Sequence, residues 1–176
     1  MKTADDWSGD LAAFLNDYKY QPDLTRLLDA IGSEDRFDQS RINEIVLWKV
    51  NRYAWINPDV IESLDALSSL SPGSHRQGEP VLSKLLHQRG VDLPMASTIL
   101  RFRNPEVFQI VDRHAYRAVY GKDYPLYSQS SGKKKIELYF AYLDDLRALA
   151  GGRSIPFRNM DRILYEFDKK INGSLS

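Results

Sequence analysis

No cysteine occurs among the 176 residues, so disulfides, zinc–thiolate sites and cysteine-ligated iron–sulfur clusters are excluded from the start. No apolar run approaches the roughly 18–20 residues that a membrane-spanning helix needs. The N-terminal stretch turns acidic at Asp5 and Asp6 and lacks the apolar centre of a signal peptide, which gives the expectation of a cytoplasmic protein with no membrane partner. Sustained two-residue alternation, the mark of a half-buried strand, is missing too. The three histidines, His75, His87 and His114, show no metal-ligand spacing, and the chain carries no serine–histidine triad, phosphate loop or carboxylate pair suited to two-metal work. Neither a metal nor a cofactor is expected.

An excess of charge of either sign is likewise absent, since 24 basic side chains meet 24 acidic ones. The balance hides a split. Residues 1–74 hold 7 Lys/Arg against 13 Asp/Glu, a net of −6, and residues 75–176 hold 17 against 11, a net of +6. Such a split can build a basic face on a neutral protein, or it can vanish when the chain folds back on itself. Both readings stand at this point.

What the chain does contain is helical periodicity almost throughout. Trp7, Leu11, Phe14, Leu15 and Tyr18 form one apolar stripe, and Leu24, Leu27, Leu28 and Ile31 a second one ending at Gly32. A third helix starts near the potential cap Ser40 and runs to about Tyr53; a fourth follows Asn57 and Pro58. The punctuators in residues 71–78 mark a loop, read as a hinge between lobes. Helices are further expected from Glu79 to Arg89, from Pro94 to about Arg103, from Arg113 to Tyr120, through Ile136 to Leu146, and from Ser154 or Pro156 through Phe167. The fold class is all-α, in one domain spanning residues 1–176. Lobes are expected at residues 1–34 plus 121–176 and at residues 35–120.

One stretch is more telling than the rest. Gly90 and Val91 make a tight turn into a helix bearing Ala96 and Leu100, and a short apolar approach then delivers Val111, Asp112 and His114 to the start of the next helix. This order, over about 30 residues, resembles the helix-hairpin-helix DNA glycosylases of the endonuclease III superfamily. The resemblance implies a two-lobed helical bundle and hydrolysis of the N-glycosidic bond of a modified or mismatched base. It also implies a monomeric protein acting on double-stranded DNA with the base extruded. On this likeness Asp112 is the catalytic carboxylate, which steadies an oxocarbenium-like sugar. The residues by themselves also allow Asp112 to be a helix cap and nothing else.

The hairpin supplies the DNA anchor in this reading. Amides at a helix start point outward together and suit a phosphate, so Arg89, Gly90 and Val91, with Arg101, Arg103 and Arg113, are the expected DNA-binding residues. Arg117 and the run Lys133, Lys134 and Lys135 are further candidates for a phosphate stripe. The family's second hairpin glycine is Asp92 here, and its carboxylate can satisfy the same amides as a cap. The lysine that gives related enzymes strand-cleaving activity is replaced by Pro94, which cannot form a Schiff base; the expectation is therefore a monofunctional enzyme. Trp48, Lys49, Arg52 and Tyr53 are the candidates for the base pocket or DNA gap, Lys49 being also the obvious candidate for a relocated amine. Two rival readings remain: an inactive helix-hairpin-helix DNA-binding module, and a helical protein-interaction domain.

Overall fold

The computed structural model describes residues 1–50 and 56–173. Within them the chain forms helices and no strand: α1 (Pro22–Asp29), α2 (Gln39–Val50), α3 (Pro58–Asp65), α4 (Glu79–Leu86), α5 (Leu93–Arg103), α6 (Arg113–Tyr120), α7 (Gly132–Gly152) and α8 (Met160–Ile171), with short 3-10 turns at Ala12–Asp17, Ala66–Ser69, His75–Gly78 and Phe157–Asn159. No helix among the described residues is long and apolar enough to cross a membrane.

Local chemistry sets most of the boundaries. Asn57 caps α3 by accepting the Asp59 amide at 3.0 Å, with Pro58 in the first turn, where its missing N–H costs nothing. Gly121, at φ +65°, closes α6 in the left-handed conformation that glycine adopts without a Cβ penalty. The stripe at residues 7–18 does not make a full helix; only Ala12–Asp17 winds, as a 3-10 turn. Asp10 offers the chain a local alternative by accepting the Ala12 amide at 2.9 Å. Leu11 and Phe14 are buried nonetheless, Trp7, Leu15 and Tyr18 are half-buried against the core, and Trp7, Phe14 and Phe167 form an edge-to-face cluster. Within the expected loop at residues 71–78, His75–Gly78 winds as a 3-10 turn whose His75 and Gly78 are buried. His75 is buried against Phe140, and a Cβ on Gly78 would meet the Phe108 ring at 2.7 Å.

α5 is the central element, with every residue buried except Pro94. It packs on α2, α3 and α4, while α8 packs on α6 and on the turn Ala12–Asp17. The chain's two ends meet beside α6. Ala4 donates its amide to the Ala118 carbonyl at 2.7 Å, Asn172 brackets the Lys2 backbone, and Arg153 donates to the carbonyls of Ala4, Asp5 and Trp7.

Candidate active site

The geometry centres on the connection between α5 and α6. Residues 109–111 are buried but belong to no helix, so their backbone polar groups need partners from elsewhere. Two buried tyrosines of α7 supply them: Tyr139 donates to the Gln109 carbonyl at 2.9 Å and Tyr142 to the Ile110 carbonyl at 3.0 Å. Ser97 of α5 accepts the Val111 amide at 3.2 Å. The Gln109 side chain donates to the carbonyls of Pro105 and Phe108 and accepts the Asp161 amide at the start of α8. An otherwise costly buried segment is thereby fixed, and Asp112 leaves it at a defined point.

Asp112 then divides its carboxylate between two tasks. Oδ1 accepts the Ala115 amide at 2.8 Å and caps α6. Oδ2 faces Lys49 of α2, whose Nζ donates to it at 3.4 Å. Both side chains are about one-fifth exposed. They line a half-open cavity of about 170 Å³, together with Tyr18, Tyr20, Trp48, Ile110, Ala115, Asp161, Arg162 and Tyr165. Burial pushes the phenols of Tyr18 and Tyr165 up, so both walls stay uncharged hydroxyl donors over the neutral range.

Of the residues expected at a base pocket or DNA gap, Trp48 and Lys49 line this cavity. Trp48 is a fixed wall rather than a movable stacking plate. Its indole N–H donates to Thr25 Oγ1 at 2.7 Å, and it lies edge-to-face between Tyr20 and Phe102. Gln21 donates to the Trp48 carbonyl and Tyr20 to the Lys49 carbonyl, pinning the end of α2. Arg52 and Tyr53 fall outside the described residues. Tyr18, Tyr20, Asp161, Arg162 and Tyr165 were not anticipated. In the sequence Tyr18 reads as part of a helical stripe. Asp161, Arg162 and Tyr165 share one flank of α8, beside the apolar residues that carried the helix assignment.

The arginines require correction. Arg101 and Arg103, expected on a phosphate stripe, are 3% and 4% exposed. Arg101 reaches Asp29 at 2.7 Å, Asp161 at 3.1 Å and the Arg158 carbonyl at 3.0 Å. Arg103 donates to the carbonyls of Leu64, Asp35, Ser33 and Asp65. Arg117 is also buried, paired through two nitrogens with Asp168, which accepts from Asn172 and lies 2.7 Å from His114 Nδ1. These guanidiniums tie helices and loops together and are spent on internal partners. Arg89 and Arg113 are exposed, as are Lys133 and Lys134.

The hairpin is built as expected at Gly90, which is exposed at φ +81° with open space around it. Val91 turns its side chain into the core, and its amide donates to the Gln88 carbonyl at 3.1 Å. Asp92 acts on its own helix. It accepts the Leu93 amide at 2.7 Å and is met by Lys135, which also donates to the Ser128 carbonyl. Pro94 has no amide to offer, and the Ala96 amide goes to the Asp92 carbonyl. The cradle at the start of α5 is therefore largely answered from within, and Lys135 is buried rather than part of a free basic run.

Comparison with protein-family models, with curated proteins and with solved structures found no match.

Proposed function

We propose that this protein is a DNA N-glycosylase of the two-lobed helix-hairpin-helix type that removes a modified or mismatched base, with Asp112 as its central catalytic group. The observation that carries this reading is the division of labour within the Asp112 carboxylate: one oxygen is held by an α6 amide while the other faces an aromatic-walled cavity. A carboxylate fixed in this way is preorganised to meet positive charge developing on a sugar, with no reorganisation required as the bond breaks.

The cavity suits such a substrate. Its volume lies below the about 300–1,000 Å³ typical of drug-sized ligands and admits one flat ring system extruded from a duplex. Trp48, Tyr18, Tyr20 and Tyr165 supply the aromatic surround, and the formal charges of Lys49 and Arg162 offset those of Asp112 and Asp161. In the reaction the electron pair of the glycosidic bond leaves with the base. Asp112 steadies the sugar cation, and a water adds at the sugar carbon, its proton passing by way of the Asp112 carboxylate to the departing base. The exposed Arg89 and Arg113, with the backbone at Gly90, remain the candidate DNA contacts; Val91, Arg101 and Arg103 are removed from that set.

The test is base release from duplexes carrying a panel of modified or mismatched bases, comparing the parent protein with Asp112→Asn. The amide can still accept the cap bond, so at most about 1 kcal/mol of stability should go, whereas the rate should fall by roughly 10²–10³. Normal release by a folded mutant would remove Asp112 from the chemistry. Salt-dependent binding without release from any duplex would leave a DNA-binding module, and no DNA binding would leave a helical interaction domain.

A further inference from the structure

A base presents donors and acceptors along its edge, so the polar groups that the cavity leaves unspent decide which edge it fits. We propose that Arg162 is the specificity-determining residue of this cavity, taking a carbonyl oxygen of the extruded base, and that the substrates are neutral keto bases rather than amino-edged ones. The proposal rests on the glycosylase reading for the reaction, though not for the binding.

The acceptors at the cavity are committed. Asp161 receives the Arg162 amide on Oδ1 at 2.9 Å, and its Oδ2 lies 3.1 Å from Arg101 Nε. Asp112 uses Oδ1 on α6 and Oδ2 on Lys49. The donors are not committed. Arg162 Nη2 donates to Asp29 Oδ1 at the end of α1, and its guanidinium carbon lies 5.5 Å from the centre of the Tyr18 ring, so the group is held in place. Its Nε and Nη1 have no partner among the described residues, yet neither is sealed from solvent. Lys49 and Arg162 are matched by Asp112 and Asp161, so the lining carries no net formal charge and favours a neutral ring over a phosphate. Anything that enters meets donors, and a carbonyl oxygen answers them where an amino group would set donor against donor.

The same contact bears on rate. When the glycosidic bond breaks, its electron pair passes to the ring nitrogen and is shared with a conjugated carbonyl oxygen. A guanidinium on that oxygen meets the growing negative charge and keeps its own proton. Burial opposes the charge on Arg162, but the bond to Asp29 and the nearby Asp161 prevail and push it above the usual arginine value.

Matched duplexes test the edge. Uracil against cytosine, and hypoxanthine against adenine, each opposite one fixed partner base, put a carbonyl where the counterpart has an amine. Uracil and hypoxanthine should be released faster by on the order of 10²-fold or more. Arg162→Met should cut the ratio within each pair by about tenfold or more. The ratio is taken within one preparation, so it does not depend on how much of the variant is folded. In that variant a ring-fluorinated uracil should outrun uracil by a wider margin than in the parent protein, because fluorine steadies the charge that Arg162 no longer meets. Equal release of keto and amino bases by the parent, or an unchanged ratio in the variant, would overturn the proposal.

Free bases probe the cavity without the reaction. Followed by ligand-observed NMR, uracil and hypoxanthine should bind about tenfold more tightly than cytosine and adenine, and Arg162→Met should lose that preference. Such a preference with no release from any duplex ends the glycosylase reading and leaves the Arg162 site standing; release of keto and amino bases alike does the reverse.

Discussion

Arg101 is a full charge on a side chain that is 3% exposed, held between Asp29 of α1, Asp161 of α8 and the Arg158 carbonyl. Burial alone pushes the Asp29 carboxyl up, but Arg162 and Arg101 more than offset this and hold it below the usual carboxylate range. Removing one partner of such a buried set leaves the others uncompensated, which typically costs about 3–5 kcal/mol. Arg101→Gln should therefore lower the urea midpoint strongly, and any lost DNA affinity should track the unfolded fraction. A stable Arg101→Gln protein with selectively weakened DNA binding would restore Arg101 to the interface. Arg101 and Arg103 sit near the end of a helix, where exposed cations are favoured by the dipole. Their partners Asp29, Asp161 and the carbonyls of residues 33–35 and 64–65 lie so far along the chain that nothing local marks these arginines as buried.

At the scale of elements, capping and punctuation chemistry made boundaries legible. α6 begins after Asp112 and ends before Gly121 as expected, because one cap and one left-handed glycine set it. The turn at Gly90 follows the same logic, and its mutation separates conformation from crowding. A Cβ there would touch nothing within 4 Å, yet φ is +81°, so Gly90→Ala should cost about 1–2 kcal/mol from backbone strain alone. Denaturation of the alanine variant checks this, and an unchanged midpoint would mean that the turn relaxes freely. Less legible were the features that depend on a distant helix. Lys133, Lys134 and Lys135 read as one basic run, but Lys135 is drawn inward by Asp92 and the Ser128 carbonyl. The pocket's far wall, Asp161, Arg162 and Tyr165, was hidden because the sequence shows a helix's apolar stripe more clearly than the use of its flank. Asp112, Trp48 and Lys49 were legible because a short motif and a helix end carry them.

For the whole molecule, the cluster of His114, Arg117, Asp168 and Asn172 fastens α6 to α8 and sets an acid limit. Burial pushes the Asp168 carboxyl up, but its bonds to His114, Arg117 and Asn172 prevail and hold it below its usual 3.8. A carboxyl lowered on folding contributes fully above its unfolded value and loses that contribution as pH falls through the folded one. The urea midpoint should thus drop steeply below about pH 4. Asp168→Asn should be weaker at neutral pH, since Arg117 loses its partner, and should show a shallower acid slope. Parallel acid slopes in the two proteins would exclude Asp168 as the group responsible.

The cavity is walled by residues 18–20, 48–49, 110–115 and 161–165, so its two outermost contributions are separated by most of the chain. A ribosome delivers them in order. When Asp112 has emerged, α8 has not, and the carboxylate then lacks Tyr165, Asp161 and Arg162 around it, while Arg101 and Arg117 wait for Asp161 and Asp168. Contacts of such long sequence separation are entropically expensive to close and tend to form late. The growing chain therefore carries the Asp112 carboxylate for some time without the cavity around it, and that cavity is closed only with the completed fold.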